Sequence, residues 1–247
     1  MTKPRAIVII PARYASKRLP GKPIVDINGK PLIRHVYENM KRTDSVDEVV
    51  VATDDAKIAD AVAQFDGNVI FTSEEHPSGT DRVYEAFKKI DDEFDIIVNV
   101  QGDEPLLKAE SVDMLIKNTF ESDADAGTLI KQIYSSEEIF DPSVVKVALG
   151  KNDRAVYFSR SPVPFRRDTD KKDWIEHKYW KHIGIYAYKP NAIKRFSQLE
   201  ESELEKAEKL EQLRLMEDGA EYLCCEIDYE LLGVDTKEDV EKVKKYL

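Results

Sequence analysis

The 247-residue sequence is poor in the features that mark disulfide-bonded, zinc-binding and membrane proteins. It has two cysteines, Cys224 and Cys225, and because adjacent cysteines rarely bridge, we expect both to be buried apolar residues of a strand. The four histidines show no HExxH or similar spacing, so no zinc site is predicted. The first apolar run, Ala6–Ile10, is too short for a signal sequence, and no run approaches the length of a membrane span. We therefore expect a cytoplasmic protein with no membrane partner.

The sequence also lacks an excess of positive charge. It contains 37 Lys and Arg against 48 Asp and Glu, which gives a formal net charge of −11. The phosphates of DNA or RNA would repel such a chain, and therefore no nucleic-acid partner is expected. A phosphate-binding site in this protein must be a local cluster of cations.

What the first half does contain is a regular alternation of apolar runs and helical patterns. This rhythm predicts an α/β fold with a mostly parallel central sheet and helices on both faces. Ligands of such sheets bind beyond the carboxyl ends of the strands. The predicted strands are Ala6–Ile10, Val49–Ala52, Asn68–Phe71 and Ile96–Val100, and the predicted helices are Pro31–Lys41, Asp55–Phe65 and Asp81–Ile90.

The pattern changes from about residue 141. A polar, basic stretch, Arg166–Asp173, lies between short strand patterns, which predicts an antiparallel extension with an exposed loop, inserted at about 150–190 of a single domain spanning 1–247. The strand patterns are Val144–Leu149, Ala155–Phe158 and Gly184–Tyr188, followed by a helix over Ser202–Glu217, a strand over Ala220–Ile227 and a closing helix over Lys237–Leu247.

A dense group of cations follows the first predicted strand. Four lie within ten residues, among residues small enough to let a ligand approach the backbone. Cations and free backbone N–H groups are what a triphosphate requires, so we predict a triphosphate-binding loop; a solvated basic loop is the alternative. The spacing matches neither GxxxxGK[ST] nor GxGxxG. The cations are Arg13, Lys17, Arg18 and Lys22, and the small residues are Ala15, Ser16 and Gly21.

Two aspartates are candidate metal ligands. Asp103 follows the fourth predicted strand, where a carboxylate beside a phosphate site would suit Mg²⁺. Asp235 precedes Thr236 and Asp239, which resemble a capping box at the start of the last helix. From spacing alone, Asp103 could be an ordinary turn residue and Asp235 could merely accompany the cap.

Taken together, these segments resemble the 3-deoxy-D-manno-octulosonate cytidylyltransferases, also called CMP-Kdo synthetases. The matching motifs occur in the family's order and cover nearly the whole chain, so the resemblance is specific although each motif alone is weak. It implies a nucleotide-diphospho-sugar transferase-like fold. The motifs are Ile10–Pro23, His76–Arg82, Asn99–Pro105, Tyr157–Pro162, His182–Tyr186, Leu210–Arg214 and Gly233–Thr236.

The resemblance implies a reaction in which CTP and the acidic sugar Kdo give CMP-Kdo and pyrophosphate, for lipopolysaccharide or capsule synthesis. It assigns Arg13, Arg18 and Lys22 to the triphosphate, and Asp103 and Asp235 to a Mg²⁺ cofactor. By the same resemblance, the CTP site comprises Pro11, Ala12, Arg13, Ser16, Lys22, Ser78, Gly79, Arg82 and Gln101.

The family's sugar site also maps onto this chain, and the segment Ala155–Tyr188 is where the family forms homodimers. Without the resemblance, Arg160 would be read as a surface arginine, His182 as structural, and Glu211 and Gln212 as the polar face of a helix. Thr80 alone would be read as a helix cap. The implied sugar-binding residues are Gln101, Arg160, His182, Tyr186, Glu211 and Gln212.

The sequence departs from the family pattern in three places. Lys17 stands where the family usually has Thr or Ser, Leu232 stands where it usually has His, and Glu203–Ala207 lacks the proline and isoleucine often seen there. The last two lie near the implied sugar site and leave other substrates open. Activation of 8-amino-Kdo or of a nonulosonic acid is therefore an alternative. A regulatory nucleotide-binding module without catalysis is a third hypothesis, which the joint presence of Arg13, Lys22 and both aspartates disfavours.

Overall fold

The computed structural model describes residues 3–15 and 18–247, which form an α/β fold. The strands are β1 (Ala6–Ala12), β2 (Asp26–Ile27), β3 (Lys30–Pro31), β4 (Glu48–Thr53), β5 (Asn68–Phe71), β6 (Ile96–Asn99), β7 (Ala126–Ile133), β8 (Lys146–Leu149), β9 (Ala155–Ser159), β10 (Tyr179–Tyr188) and β11 (Tyr222–Glu226). The α-helices are α1 (Leu32–Met40), α2 (Ala56–Ala63), α3 (Gly79–Lys88), α4 (Ala109–Glu121), α5 (Ser136–Phe140), α6 (Pro190–Gln198), α7 (Glu203–Glu208), α8 (Gln212–Glu217) and α9 (Lys237–Val243). Short 3-10 helices span Lys22–Ile24, Lys151–Asp153 and Lys171–Glu176.

The central sheet has the strand order β11-β7-β10-β6-β1-β4-β5, with β8 and β9 added beside β10. Strand β1 pairs in parallel with both β4 and β6, and β11 pairs in parallel with β7. Strand β10 is antiparallel to both of its neighbours, β6 and β7, so it alone on this path runs in the opposite direction. The predicted mostly parallel sheet is therefore confirmed, with one reversed strand in its middle.

Helices cover both faces of this sheet, as the continuous apolar run of β1 requires. Because successive side chains of a strand point to opposite faces, β1 contributes to two separate hydrophobic clusters. Val8 and Ile10 pack with residues of α1, α2 and α4, whereas Ile7 and Ile9 pack with residues of α3, α6 and α8. All four side chains are fully buried.

In the second half of the chain, two predicted elements differ from those in the structure. The helix predicted over Ser202–Glu217 is wrong as a single element, because Lys209 adopts a left-handed backbone conformation (φ 53°) that separates α7 from α8. The strand predicted at Gly184–Tyr188 is only the second half of β10, which begins at Tyr179 and extends from β8 into the middle of the sheet. Helices α4, α5 and α6, strand β7 and the short β2–β3 pair were not predicted.

Cys224 and Cys225 are buried, unbridged residues of β11, as expected. No described helix is both long enough and apolar enough to cross a membrane.

Candidate functional site

A cleft of about 520 Å³ opens where β1 and β6 end side by side. Parallel pairing brings the loops after these two strands to the same edge of the sheet, and the start of α3 and the segment before α9 close the cleft. The lining residues are Pro11, Ala12, Arg13, Ala15, Arg18, Lys22, Pro23, His76, Pro77, Ser78, Gly79, Arg82, Gln101, Gly102, Asp103 and Asp235.

This cleft gathers residues that the sequence assigned to a triphosphate, a nucleotide base and a metal ion. Every predicted residue of the CTP and metal sites lines it, except Ser16, which, like Lys17, lies outside the described residues. His76 and Pro77 also line the cleft but were not predicted as site residues. Both residues belong to the motif His76–Arg82, and their place in that motif was the signal that could have identified them as site residues.

One part of the cleft lining is a charge cluster around Lys22. The Lys22 ammonium group donates hydrogen bonds to the carboxylates of Asp103 and Asp235, at 3.0 Å for Oδ1 of Asp235. The guanidinium of Arg18 pairs with the other oxygen of Asp235 at 2.9 Å. Burial alone would lower the pKa of Lys22, but the carboxylates of Asp103 and Asp235 together outweigh that effect and the pKa is raised. Lys22 is therefore a firmly charged ammonium between two carboxylates.

Local backbone features hold this cluster in place. Gly21 has a φ of 70°, a conformation that suits glycine, and its N–H donates to Tyr14 O, which turns the loop so that Lys22 starts a 3-10 helix. Across the cleft, Val234 N donates to Asp103 O at 2.9 Å, which ties together the two segments that carry the aspartates. The capping box predicted for Thr236 is confirmed.

The donor chemistry of this cluster fits a hard divalent cation. Two carboxylates already share one cation, the Lys22 ammonium, at the edge of a cleft lined by further cations. Among residues 3–15 and 18–247, no group of three or more His, Cys, Asp or Glu is arranged to hold a metal ion. Asp103 and Asp235 would therefore need phosphate and water oxygens to complete the coordination, which is the arrangement that Mg²⁺ favours.

Glu104, next to Asp103, is a further acidic group, to which the sequence assigned no specific role. Its Oε2 is buried, with no hydrogen-bond partner in the described part of the chain, and Gly233 lies against the carboxylate. Burial, followed by repulsion from Asp103 and Asp235, raises the pKa of Glu104 to about 8. A protonated Glu104 would keep a third negative charge away from the aspartate pair.

The opposite wall of the cleft begins at α3. Its N-cap is Ser78, which accepts a hydrogen bond from Asp81 N, so the expectation that Thr80 caps this helix is wrong. Arg82, almost fully buried, donates to Thr72 Oγ1 and lies 2.8 Å from a carboxylate oxygen of Asp54. These contacts fix the one arginine of α3 at the cleft.

Beyond this wall, most of the predicted sugar-binding residues form a second polar cluster. Tyr186, on β10, donates its hydroxyl proton to Gln212 Oε1 at 3.1 Å. Glu211 accepts a hydrogen bond from Thr80 Oγ1 at 2.7 Å. The ring of His182 lies 5.4 Å from that of Tyr186, measured between centroids. Strand β10 and the start of α8 thus bring together residues that lie far apart in sequence.

Burial sets the charge states in this second cluster. It lowers the pKa of His182 to about 3, so that the imidazole is neutral at pH 7. It also raises the pKa of Tyr186 well above its ordinary value. Burial raises the pKa of Glu211 too, although a hydrogen bond from Thr80 opposes that change. The cluster therefore offers neutral hydrogen-bonding groups, with Glu211 as its acidic member.

Arg160 follows β9 and is held by main-chain carbonyl groups. Its guanidinium donates to Glu208 O at 2.7 Å, to Pro142 O at 3.0 Å and to Lys209 O at 3.3 Å. These bonds use three of its five N–H groups, so within residues 3–15 and 18–247 two remain for a ligand. They also place the arginine at the end of α7, shortly before Glu211.

The chain is similar in sequence and fold to known cytidylyltransferases. The Cytidylyltransferase family model matches residues 7–226. The 3-deoxy-manno-octulosonate cytidylyltransferase of Parabacteroides distasonis is 47% identical over 98% of this chain and 97% of its own length, and that of Escherichia coli is 44% identical over 97% and 95%. A solved structure of CMP:2-keto-3-deoxy-manno-octonic acid synthetase complexed with CTP superposes with a TM-score of 0.91 at 43% identity, covering 98% of both chains. The chain belongs to the 3-deoxy-manno-octulosonate cytidylyltransferase family.

Proposed function

We propose that this protein transfers the CMP group of CTP to the anomeric hydroxyl of Kdo and releases pyrophosphate. The observation that carries the proposal is the meeting of Lys22, Asp103 and Asp235 in one cleft at the ends of β1 and β6. Cations for a triphosphate and carboxylates for a divalent ion stand together there, and a second polar cluster of the right chemistry for a sugar lies behind α3. The relatives from Parabacteroides distasonis and Escherichia coli are 3-deoxy-manno-octulosonate cytidylyltransferases by name, which supports the same reaction for this chain.

The cations of the first loop bind and orient the triphosphate. Arg13, Arg18 and Lys22 line one side of the cleft, where they would neutralise the phosphate oxygens. The oxygen of the sugar hydroxyl forms a bond to the α-phosphorus and its proton is released to water, as the bond between the α-phosphorus and the oxygen bridging to the β-phosphate breaks. Charge accumulates on the leaving pyrophosphate, and fixed cations stabilise it without having to reorganise.

Mg²⁺ is the proposed cofactor, and Asp103 and Asp235 are the residues that would hold it. When bound, such an ion withdraws charge from phosphate oxygens. The role of Lys22 changes between the two states: in the free protein its ammonium neutralises both aspartates, and with CTP present it would turn to the phosphates.

The cytosine base would lie between the end of β1 and the start of α3. Here the residues are Pro11 and Ala12 on one side, and Ser78, Gly79 and Arg82 on the other. A Cβ atom at Gly79 would lie 3.6 Å from the Pro11 ring, so the absent side chain leaves room between these walls. Backbone groups in this gap can read the exocyclic amine and ring carbonyl of cytosine by hydrogen bonds.

The acidic sugar would occupy the second cluster. The two free N–H groups of Arg160 suit its carboxylate, and Tyr186, His182, Glu211 and Gln212 suit its hydroxyl groups. Gln101 lines the cleft and would touch both substrates.

We also propose that the enzyme is a homodimer that acts in the cytoplasm, where CTP is supplied. The segment from Ala155 to Tyr188 carries two large apolar side chains that are mostly exposed in one copy, Phe165 (76%) and Val156 (62%). Such side chains suit an interface. Light scattering tests this, because Phe165→Glu together with Val156→Glu should shift the mass from two copies to one.

Pyrophosphate release tests the reaction itself. Wild-type protein with CTP, Mg²⁺ and Kdo should release pyrophosphate, and omission of any of the three should stop it. Release of pyrophosphate with 8-amino-Kdo or a nonulosonic acid, but not with Kdo, would support the proposed reaction and change the identity of the sugar. CTP binding without release with any of these acids would instead favour a non-catalytic regulatory module.

A further inference from the structure

A line of hydrogen bonds joins the CTP cleft to the second polar cluster. Gln101 Nε2 donates to Asn99 Oδ1 at 3.2 Å, Asn99 Nδ2 donates to Thr80 Oγ1 at 3.1 Å, and Thr80 Oγ1 donates to Glu211 Oε1 at 2.7 Å. These four residues come from the end of β6, from α3 and from the segment before α8. The line therefore connects three separate parts of the fold.

Burial differs along this line in a way that separates its middle from its ends. Thr80 and Asn99 have no exposed surface at all. Gln101 and Glu211, at the two ends, are partly exposed. Only the ends can therefore touch a substrate, whereas the middle residues can act only through them.

The polarity of the line is fixed by the chemistry of its groups. A hydroxyl has one proton, and that of Thr80 is donated in a hydrogen bond to the Glu211 carboxylate. The Thr80 oxygen must then accept from its other partner, so Asn99 turns its NH₂ group towards it and its carbonyl towards Gln101. That carbonyl needs a donor, which turns the NH₂ group of Gln101 inward and leaves the Gln101 carbonyl oxygen for the cleft.

We propose that Thr80 and Asn99 are positioning residues, which orient Glu211 and the Gln101 amide so that both present oxygen acceptors to the hydroxyl groups of the sugar. The proposal rests on the proposed function, since it concerns the sugar that this cleft would bind. Loss of the Thr80 hydroxyl would free Glu211 to turn and would allow the amides of Asn99 and Gln101 to flip.

Steady-state kinetics of Thr80→Val and Thr80→Ser test the proposal. The valine variant keeps the shape of the side chain and removes the hydroxyl, so we expect the KM for Kdo to rise roughly tenfold, as for the loss of a hydrogen bond to a charged group. The KM for CTP should stay within about threefold, because the cations of the first loop are untouched. Thr80→Ser should return the KM for Kdo to near the wild-type value.

The matched control is Thr43→Val. Thr43 is also a buried threonine with a hydrogen-bonded hydroxyl, but it lies between α1 and β4, at the opposite edge of the sheet. The Thr43→Val variant should be less stable than the wild type, with no change in the KM for Kdo or for CTP. If Thr80→Val does not fold, as judged by circular dichroism, Thr80→Ala carries the same comparison.

Three results would overturn the proposal: a KM for Kdo in Thr80→Val like that of Thr43→Val, an equal rise in the KM for both substrates, or no recovery in Thr80→Ser. The first would make the line a structural one, the second would indicate a general distortion, and the third would assign the effect to packing of the methyl group. Failure of the wild-type protein to release pyrophosphate with Kdo would instead overturn the proposed function.

Discussion

Lys22 Nζ lies 3.0 Å from Oδ1 of Asp235, a residue 213 positions further along the chain. The same ammonium group also donates to Asp103, so one side chain of the loop proposed to bind the triphosphate lies between the two proposed metal ligands. A divalent cation that binds these aspartates in the free protein would therefore compete with Lys22. Triphosphate binding would remove that competition, because the phosphates offer the ammonium another partner.

Replacement of this lysine should change metal binding and catalysis in opposite directions. In Lys22→Met, two carboxylates lose their shared counterion, so Mn²⁺ should bind the nucleotide-free protein about tenfold more tightly, a change of about 1.4 kcal/mol. Turnover should fall by a factor of about 10² or more, because a fixed cation is lost from the phosphates. Electron paramagnetic resonance of Mn²⁺ measures the first effect and pyrophosphate release the second. Lys30→Met, which breaks a pair with Glu38 outside the cleft, serves as the control. Unchanged Mn²⁺ affinity in Lys22→Met would contradict the competition.

Asp103 should matter for turnover far more than for nucleotide binding. Asp103→Ala should abolish pyrophosphate release, while the Kd for CTP, measured by calorimetry, weakens by about tenfold or less because the loop cations remain. Asp92→Ala is a suitable control, since Asp92 precedes β6 at the other edge of the sheet and pairs with Arg5. A near-normal rate in Asp103→Ala would show that this carboxylate is not a metal ligand.

Arg160 should affect the sugar and not the nucleotide. The loss of a charge-assisted pair predicts a rise of about 10- to 100-fold in the KM for Kdo in Arg160→Ala, with the KM for CTP within about threefold. Because the arginine also binds the carbonyls of Glu208 and Lys209, the melting temperature should be measured for the same sample. Arg154→Ala, which removes a pairing with Asp123, controls for the loss of an arginine elsewhere. Equal effects on both KM values would refute a carboxylate-binding role.

The pKa of His182 predicts a pH dependence of stability. In the unfolded chain this histidine has its ordinary pKa of 6.5, whereas burial lowers the folded value to about 3. Below pH 6.5 the unfolded state takes up a proton that the folded state does not, so stability is lost as the pH falls. Between pH 7.5 and 5.0 this amounts to about 2 kcal/mol. Urea unfolding of wild type and His182→Asn at both pH values isolates the effect, since the other groups titrate alike in both. An equal loss in the two proteins would mean that His182 titrates normally when folded.

The first half of the fold could be predicted because its local signals agree with its tertiary structure. The run of β1 is apolar and fully buried up to Ile10, and α1 places its apolar residues at helical spacing. The strand at Asn68–Phe71 was predicted with its actual bounds. The position of the cleft followed from these elements, since the loops after β1 and β6 must meet if the strands are parallel neighbours.

The broken helix after Ser202 could not be predicted, because its cause lies elsewhere in the chain. Its apolar stripe continues from Leu204 to Leu213, so local periodicity indicates one helix. In the structure, Arg160 takes the carbonyls of Glu208 and Lys209 as hydrogen-bond acceptors, and Lys209 turns to a positive φ. This break gives α8 its own start and places Glu211 beside Thr80. The polar link between the two halves of the site therefore depends on a contact that no local pattern reveals.

Strand β7 and helix α4 also have weak local sequence signals, because contacts between the two elements determine their positions. Their packing leads to a further prediction. Helix α4 begins without a side-chain cap, and β7 contains Gly127, which is typically unfavourable in a strand. A Cβ atom at Gly127 would lie only 2.0 Å from Thr119 Oγ1 on α4, so the glycine permits the close approach of helix and sheet.

Gly127→Ala should therefore lower the free energy of unfolding by about 1–3 kcal/mol. The Thr119 hydroxyl has no hydrogen-bond partner among the residues that the structure describes, so Thr119→Ala should cost less than that and should make room for the new methyl group. In the double variant we expect the two losses to be non-additive by about 1 kcal/mol or more, as measured by urea unfolding. Strict additivity would mean that the helix simply moves away from the strand, and that Gly127 does not set their distance.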